Sequence, residues 1–185
     1  MKKPIYPVST ELRKYLRAYQ REAKLPIGYY DLLNFYESFP LMDKHGKDTL
    51  WESPLYPYHE IERIHNGLKK TYAMLKASGN LRIVEHKYID RIDYCTFGNS
   101  NPFRIRIVNR LNDIYDYFYI KRADASRIYG LELEEIFSPN QVNYLVDDNT
   151  LVEEHIAGIP GDVFAKTRLD HPDYNPKRIA KEFVK

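Results

Sequence analysis

Apolar positions repeat at helical spacing through the first eighty residues and at strand spacing through most of the remainder. After Ser9, the residues Leu12, Tyr15, Leu16 and Tyr19 recur at i, i+3, i+4 and i+7, while Arg13, Lys14, Arg17 and Arg21 take the other face. That pattern predicts an amphipathic helix stopped by Pro26. Tyr29, Leu32, Leu33 and Tyr36 repeat it ahead of Pro40. Residues 43–57, broken by Gly46, Pro54 and Pro57, read as a loop in which Trp51 anchors against the neighbouring helices. A longer helix is predicted over 58–78, with Ile61, Ile64, Leu68, Tyr72 and Leu75 on one side and Gly79 as its stop. His59 and His65 fall on different faces of it, so they are not read as a metal pair, and His65 is assigned to packing.

From Leu81 the period changes. Residues 81–96 read as an extended, partly irregular strand, and 103–107 alternate cleanly. Residues 115–121, 142–146 and 150–156 complete five strands, the last two joined by the turn-forming Asp147-Asp148-Asn149. Between the third and fourth strands, Asp124 or Ser126 caps a helix with Ile128, Leu131, Ile136 and Phe137 as apolar positions. The expected fold class is α+β: a helical region over 1–80, then a five-stranded antiparallel sheet with one packed helix over 81–158, then a tail over 159–185.

Two charged residues interrupt apolar surfaces in the second half. Alternation places Lys121 on one face with Tyr117 and Tyr119, where its ammonium either snorkels to water or points into a cleft and meets an anion. Glu132 lies four residues after Ile128 and four before Ile136, in the middle of the apolar side of its helix. An ion pair between Lys121 and Glu132 satisfies both charges; the alternatives are a Glu132 that reaches solvent along the helix edge, or Glu135 as the partner.

The order of these parts resembles the small lobe of a protein-kinase-like phosphotransferase. Residues 151–161, LVEEHIAGIPG, resemble the L-x-x-E-Y-I-x-G hinge of the aminoglycoside phosphotransferase and choline kinase branch, with Glu154, His155, Ile156 and Gly158 on the matching positions. The resemblance covers roughly residues 81–164 and rests on order and spacing. It implies ATP as ligand: Lys121 on the phosphates, Glu132 holding Lys121, and backbone groups from Glu154 to Ile156 at the adenine edge. Gly98, Asn99 and Ser100 stand in the place of the phosphate-covering loop. Tyr119 occupies a position where protein kinases carry a small residue, and the loop has one glycine. His171-Pro172-Asp173 invites comparison with a catalytic loop, but Arg178 stands where the asparagine belongs. The expectation is a helical extension, a small lobe and the start of a missing or truncated large lobe, with the catalytic base and the Mg²⁺ ligands outside this chain and no catalysis by this fragment.

Composition narrows the remaining classes. The chain has 185 residues, 43% hydrophobic and 29% charged, as in ordinary globular sequences. Seventeen tyrosines suit half-buried or interface positions. The single Cys95 excludes an intrachain disulfide and is read as a small core residue in a reducing, cytoplasmic setting. No apolar run reaches membrane-spanning length. Net charge is +2, but residues 81–164 carry 9 Lys+Arg against 14 Asp+Glu. That balance argues against nucleic acid as a partner for this part; the resemblance implies a nucleotide and a missing large lobe or a partner protein as partners. The alternative from another class is a non-enzymatic α+β module whose Tyr-rich sheet and basic first helix bind protein or single-stranded nucleic acid.

Overall fold

The computed structural model describes residues 3–159, 161–168, 172 and 174–184. Helix α1 (Thr10–Ala18) begins where Ser9 Oγ accepts the Leu12 N–H at 3.1 Å, satisfying a donor that a helix start leaves open, and it buries Leu12 and Leu16. The second expected helix shrinks to one turn, α2 (Tyr29–Leu32). The chain then forms a hairpin, β1 (Glu37–Met42) and β2 (Asp48–Leu55), where a helix end and a loop were expected. Asp43 Oδ1 accepts the N–H groups of His45 and Lys47 at 2.8 and 2.9 Å, and Gly46 supplies φ +76° at the turn. Pro40 and Pro54 masked this hairpin in the sequence. Pro40 is tolerated because β1 is an edge strand, and Pro54 lies beyond Trp51 and Glu52, the two positions at which β2 pairs with the next strand.

Helix α3 (Tyr58–Ala77) ends as its sequence implied, with Ser78 and Gly79 at φ +49° and +85° and the Gly79 N–H bonded to Ala73 O at 3.0 Å. Leu81–Val84 form a short 3-10 turn where strand was expected. There follow β3 (Lys87–Cys95), β4 (Phe103–Asn109), β5 (Tyr115–Arg122), α4 (Ala125–Phe137), β6 (Tyr144–Asp147) and β7 (Thr150–Glu154), then α5 (Gly161–Thr167) and α6 (Pro176–Val184). The fold is α+β, an open antiparallel sheet of seven strands in the order β1-β2-β3-β4-β5-β7-β6, with six α-helices among the described residues. Seven strands replace the five expected, because the hairpin of the N-terminal region joins the sheet through β2 and β3.

The two sheet faces are covered unequally. One face packs on α2 and α3, where Ile64, Leu68, Phe103, Ile105, Phe118 and Ile120 form the main core. A bulge between Ile89 and Arg91 lets Ile89 and Ile92 both point into this core. On the other face, α1 and α4 enclose a smaller core against β6 and β7, built from Leu12, Leu16, Ile128, Leu131, Val146 and Leu151. Ile136 and Phe137, expected in that core, are exposed. The outer edge of β6 is bonded rather than bare: Val146 N–H donates to Arg21 O at 2.8 Å and Ala23 N–H to Val146 O at 3.0 Å. No helix among the described residues is long and apolar enough to cross a membrane.

Candidate functional site

Alternation along β5 sets the site. Phe118 and Ile120 are fully buried in the main core, which turns Tyr117, Tyr119 and Lys121 to the other face. Strand β7 lies alongside with Tyr119 opposite Glu153 and Lys121 opposite Leu151. Two consecutive glutamates at a strand end must point to opposite faces, and they do. Glu154 goes to the α3 side, where its carboxylate accepts Lys76 Nζ at 2.6 Å and the Asn143 N–H at 2.7 Å. Glu153 shares the face of Lys121 and is only 3% exposed.

Glu153 is the partner of Lys121. Its Oε2 accepts Lys121 Nζ at 2.8 Å, and Arg127, from the first turns of α4, adds two further bonds at 2.9 and 3.0 Å. Burial alone pushes the Glu153 carboxyl up, but the hydrogen bonds and charges of Arg127 and Lys121 outweigh it and hold the group below its usual value. The hydrogen bond to Glu153 likewise raises Arg127. Two cations thus face the one buried carboxylate, and Glu134 adds a second negative charge near Arg127. Arg127 remains about two-fifths exposed, with 43% of its side chain accessible, so it can turn toward a ligand.

These groups line a cleft of about 480 Å³, within the size range of small-molecule sites. Trp51 and Pro102 form part of its wall, and His155, Ile156, Gly158 and Ile159 form another part. Tyr119, whose hydroxyl is raised by burial, lies with its oxygen 3.2 Å from His155 Nδ1. Beyond the cleft the same face carries a second carboxylate between cations. Asp93 is fully buried and accepts Arg104 Nε and Nη2 at 3.0 and 2.7 Å, while Arg91 Nε stands 2.8 Å away without hydrogen-bond alignment. Arg104 stacks on Trp51 and Tyr117, and Arg106 on Tyr115.

Of the residues singled out in the sequence, Lys121, His155 and Ile156 line this cleft, and Glu154 borders it with its carboxylate turned away to Lys76. Gly98, Asn99 and Ser100 belong to the β3–β4 turn, which lends only Pro102 to the lining. Glu132 is buried as expected, but its partner is not Lys121. Both its oxygens bond Arg21 Nη1, at 2.6 and 2.7 Å, and the hydroxyls of Tyr15 and Tyr144 also donate to it. The pairing of Lys121 with Glu132 is therefore corrected to Lys121 with Glu153. The reason lies in α4, which places Arg127 beside Glu153 and presents Glu132 to α1 and β6 instead. Arg127 and Glu153 went unnoticed in the sequence, although the Glu153-Glu154 pair signalled that one carboxylate must share the lysine's face. Trp51 was assigned to helix packing because its strand was not foreseen. His171 and Asp173 lie outside the described residues.

The cleft is equipped to hold an anion against Lys121 and Arg127 and a planar or apolar group against Trp51, Ile156 and Ile159. No protein-family model matches the chain, and neither a curated protein nor a solved structure shows significant similarity to it.

Proposed function

We propose that the cleft binds a nucleotide, in the manner of the small lobe of a kinase-like phosphotransferase. The observation that carries this reading is the convergence of Lys121 and Arg127 on the single carboxylate of Glu153, beside the 154–159 segment that resembles a nucleotide-binding hinge. A triphosphate would bond Lys121 and Arg127, and Glu153 would hold Lys121 in place, the role expected of Glu132. The order β3, β4, β5, α4, β6, β7 also supports the reading, since the one helix falls between the third and fourth of these five strands. The metal ligands and catalytic base of phosphoryl transfer belong, on this reading, to residues outside this chain.

Isothermal titration with ATP, ADP and AMP, with and without Mg²⁺, tests it. Saturable binding that weakens roughly tenfold or more in Lys121→Met is the expected result. The absence of heat with every nucleotide at millimolar concentration would sink the proposal.

A second reading, a single-stranded nucleic-acid module, draws on the cation–aromatic rows of Trp51, Arg104, Tyr117, Arg106 and Tyr115. The basic face of α1 does not favour it. Arg13 is bonded to Glu22 and Asp148, and Arg17 to Glu22, all at 2.8 Å. Oligonucleotide binding that steepens as salt is lowered and disappears in Arg106→Glu would favour this module over the nucleotide cleft.

A further inference from the structure

Trp51 is the only tryptophan in the chain, and it sits on a strand outside the five that suggested a nucleotide site. Strand β2 meets β3 at two positions alone, Trp51 opposite Cys95 and Glu52 opposite Tyr94. Cys95 shares its face with Asp93, so this short contact delivers the indole to the face that carries Lys121. Its inner neighbour is a cation held in place by a buried carboxylate. The Arg104 guanidinium carbon lies 4.4 Å from the indole centroid, and Arg104 is fixed by two hydrogen bonds to the fully buried Asp93 and by its stack on Tyr117.

Three aromatic side chains line the cleft. Tyr119 and His155 pack on one another with ring centroids 5.8 Å apart. Trp51 has no ring–ring neighbour among the described residues and is half-buried. It is a flat apolar surface backed by a cation and left without an aromatic partner, in a cleft that also holds Lys121 and Arg127.

We infer that Trp51 is the stacking wall for the base of the bound nucleotide, with Arg104 and Asp93 as the residues that position it. The inference rests on the nucleotide reading of the cleft and adds that recognition has two separable parts. The phosphates are held by Lys121 and Arg127. The base is held by an indole supplied from the N-terminal hairpin, and because every base has a π-face, this contact favours nucleotides over bare polyphosphate without strong choice among bases.

The unique indole is its own reporter. Titration of the whole chain with ATP, GTP and inorganic tripolyphosphate should change Trp51 fluorescence strongly with both nucleotides and little with tripolyphosphate. Trp51→Ala should weaken ATP and GTP roughly 10- to 100-fold, the range base–aromatic stacking supplies. Tripolyphosphate affinity, measured calorimetrically, should stay as in wild type. Trp51→Phe, with a smaller ring in the same place, should recover much of the loss and guards against a misfolded alanine variant. If wild type binds ATP and Trp51→Ala binds it equally well, the stacking role is overturned while the nucleotide reading stands. If tripolyphosphate binds wild type as tightly as ATP does, the base is not recognised and the inference fails with the phosphate site intact. Wild type that binds none of the three overturns both.

Discussion

Arg21, just past the end of α1, holds both carboxylate oxygens of Glu132 through one guanidinium nitrogen, at 2.6 and 2.7 Å. The contact spans 111 residues of chain and closes the smaller core from outside. Arg21 also bonds Glu135 at 3.0 Å and lies over the ring of Tyr144. The Tyr144 and Tyr15 hydroxyls complete the shell of Glu132, and both phenols are raised, Tyr144 by burial first and Tyr15 by its bond to the carboxylate.

A buried carboxylate that loses its counter-charge keeps its desolvation cost. Arg21→Met should therefore destabilise the protein by roughly 3–5 kcal/mol. Arg21→Met combined with Glu132→Gln should recover much of that, because the amide no longer needs a cation. Urea unfolding of the four-member cycle measures the coupling. Additive single effects would show that the pair contributes no specific interaction.

Gly67 makes a second test. Glycine inside a helix ordinarily costs about 1 kcal/mol relative to alanine, so Gly67→Ala on α3 would be stabilising on propensity alone. Here a Cβ would meet Ile27 Cβ at 3.0 Å and Cγ2 at 3.3 Å, and Ile27 is 1% exposed. The backbone of α3 approaches the segment before α2 so closely that a methyl group would have to push the buried Ile27 aside by a few tenths of an ångström. Gly67→Ala should lower the thermal midpoint rather than raise it, with a net loss on the order of 1 kcal/mol once overpacking exceeds the propensity gain. Ile27→Val in the same background should not restore it, since valine keeps the Cβ and Cγ2 that the methyl group meets.

What the sequence made legible follows from which signals are local. Ser9, Asp124 and the Ser78-Gly79 stop act within one turn of chain, and α1, α3 and α4 begin or end on them. The alternation of β4 and β5 is equally local, and so is the two-residue turn between Asp147 and Thr150. The β1–β2 hairpin was hidden because an edge hairpin buries little: β1 leaves Phe39 and Met42 exposed, so no alternating apolar signal remained. At the site, Lys121 and the 154–156 segment were legible because each stands out against its own strand. Their partners were not. Whether Lys121 meets Glu132 or Glu153 depends on how α4 is rotated against β7, a tertiary choice made by Arg127 and by the pull of Arg21 on Glu132.

The acid limb of stability should depend on Glu153. Its carboxyl titrates below the ordinary value of 4.5 in the folded protein, and those of Glu154 and Asp124 are lowered as well. A depressed folded value means that the unfolded chain binds protons first as pH falls. The stabilisation is complete above the unfolded value and is lost as pH drops from about 4.5 through the folded values. Urea midpoints should begin to fall as pH drops below about 6.5, because burial holds His65 below its ordinary value and the unfolded chain takes up that proton first, and should fall steeply below 4.5. Glu153→Gln should start lower and fall less steeply over that range. A parallel curve for the variant would show that Glu153 does not contribute to the acid transition.

The arrangement of Lys121, Arg127 and Glu153 makes a prediction whose sign separates a binding site from a purely structural ion cluster. In the resting cleft the single carboxylate of Glu153 competes with any incoming phosphate for both cations. Lys121→Met and Arg127→Met each remove one of these two cations, so each should weaken tripolyphosphate binding roughly tenfold or more. Glu153→Gln removes the competitor and should strengthen tripolyphosphate binding severalfold while lowering the thermal midpoint, because two cations then lack a counter-charge. Stability and affinity thus move in opposite directions in that variant. A cluster that only ties α4 to the sheet would show the three losses of stability with no change in anion affinity. Calorimetry at two salt concentrations checks the electrostatic origin, since the difference between Glu153→Gln and wild type should shrink as ionic strength rises.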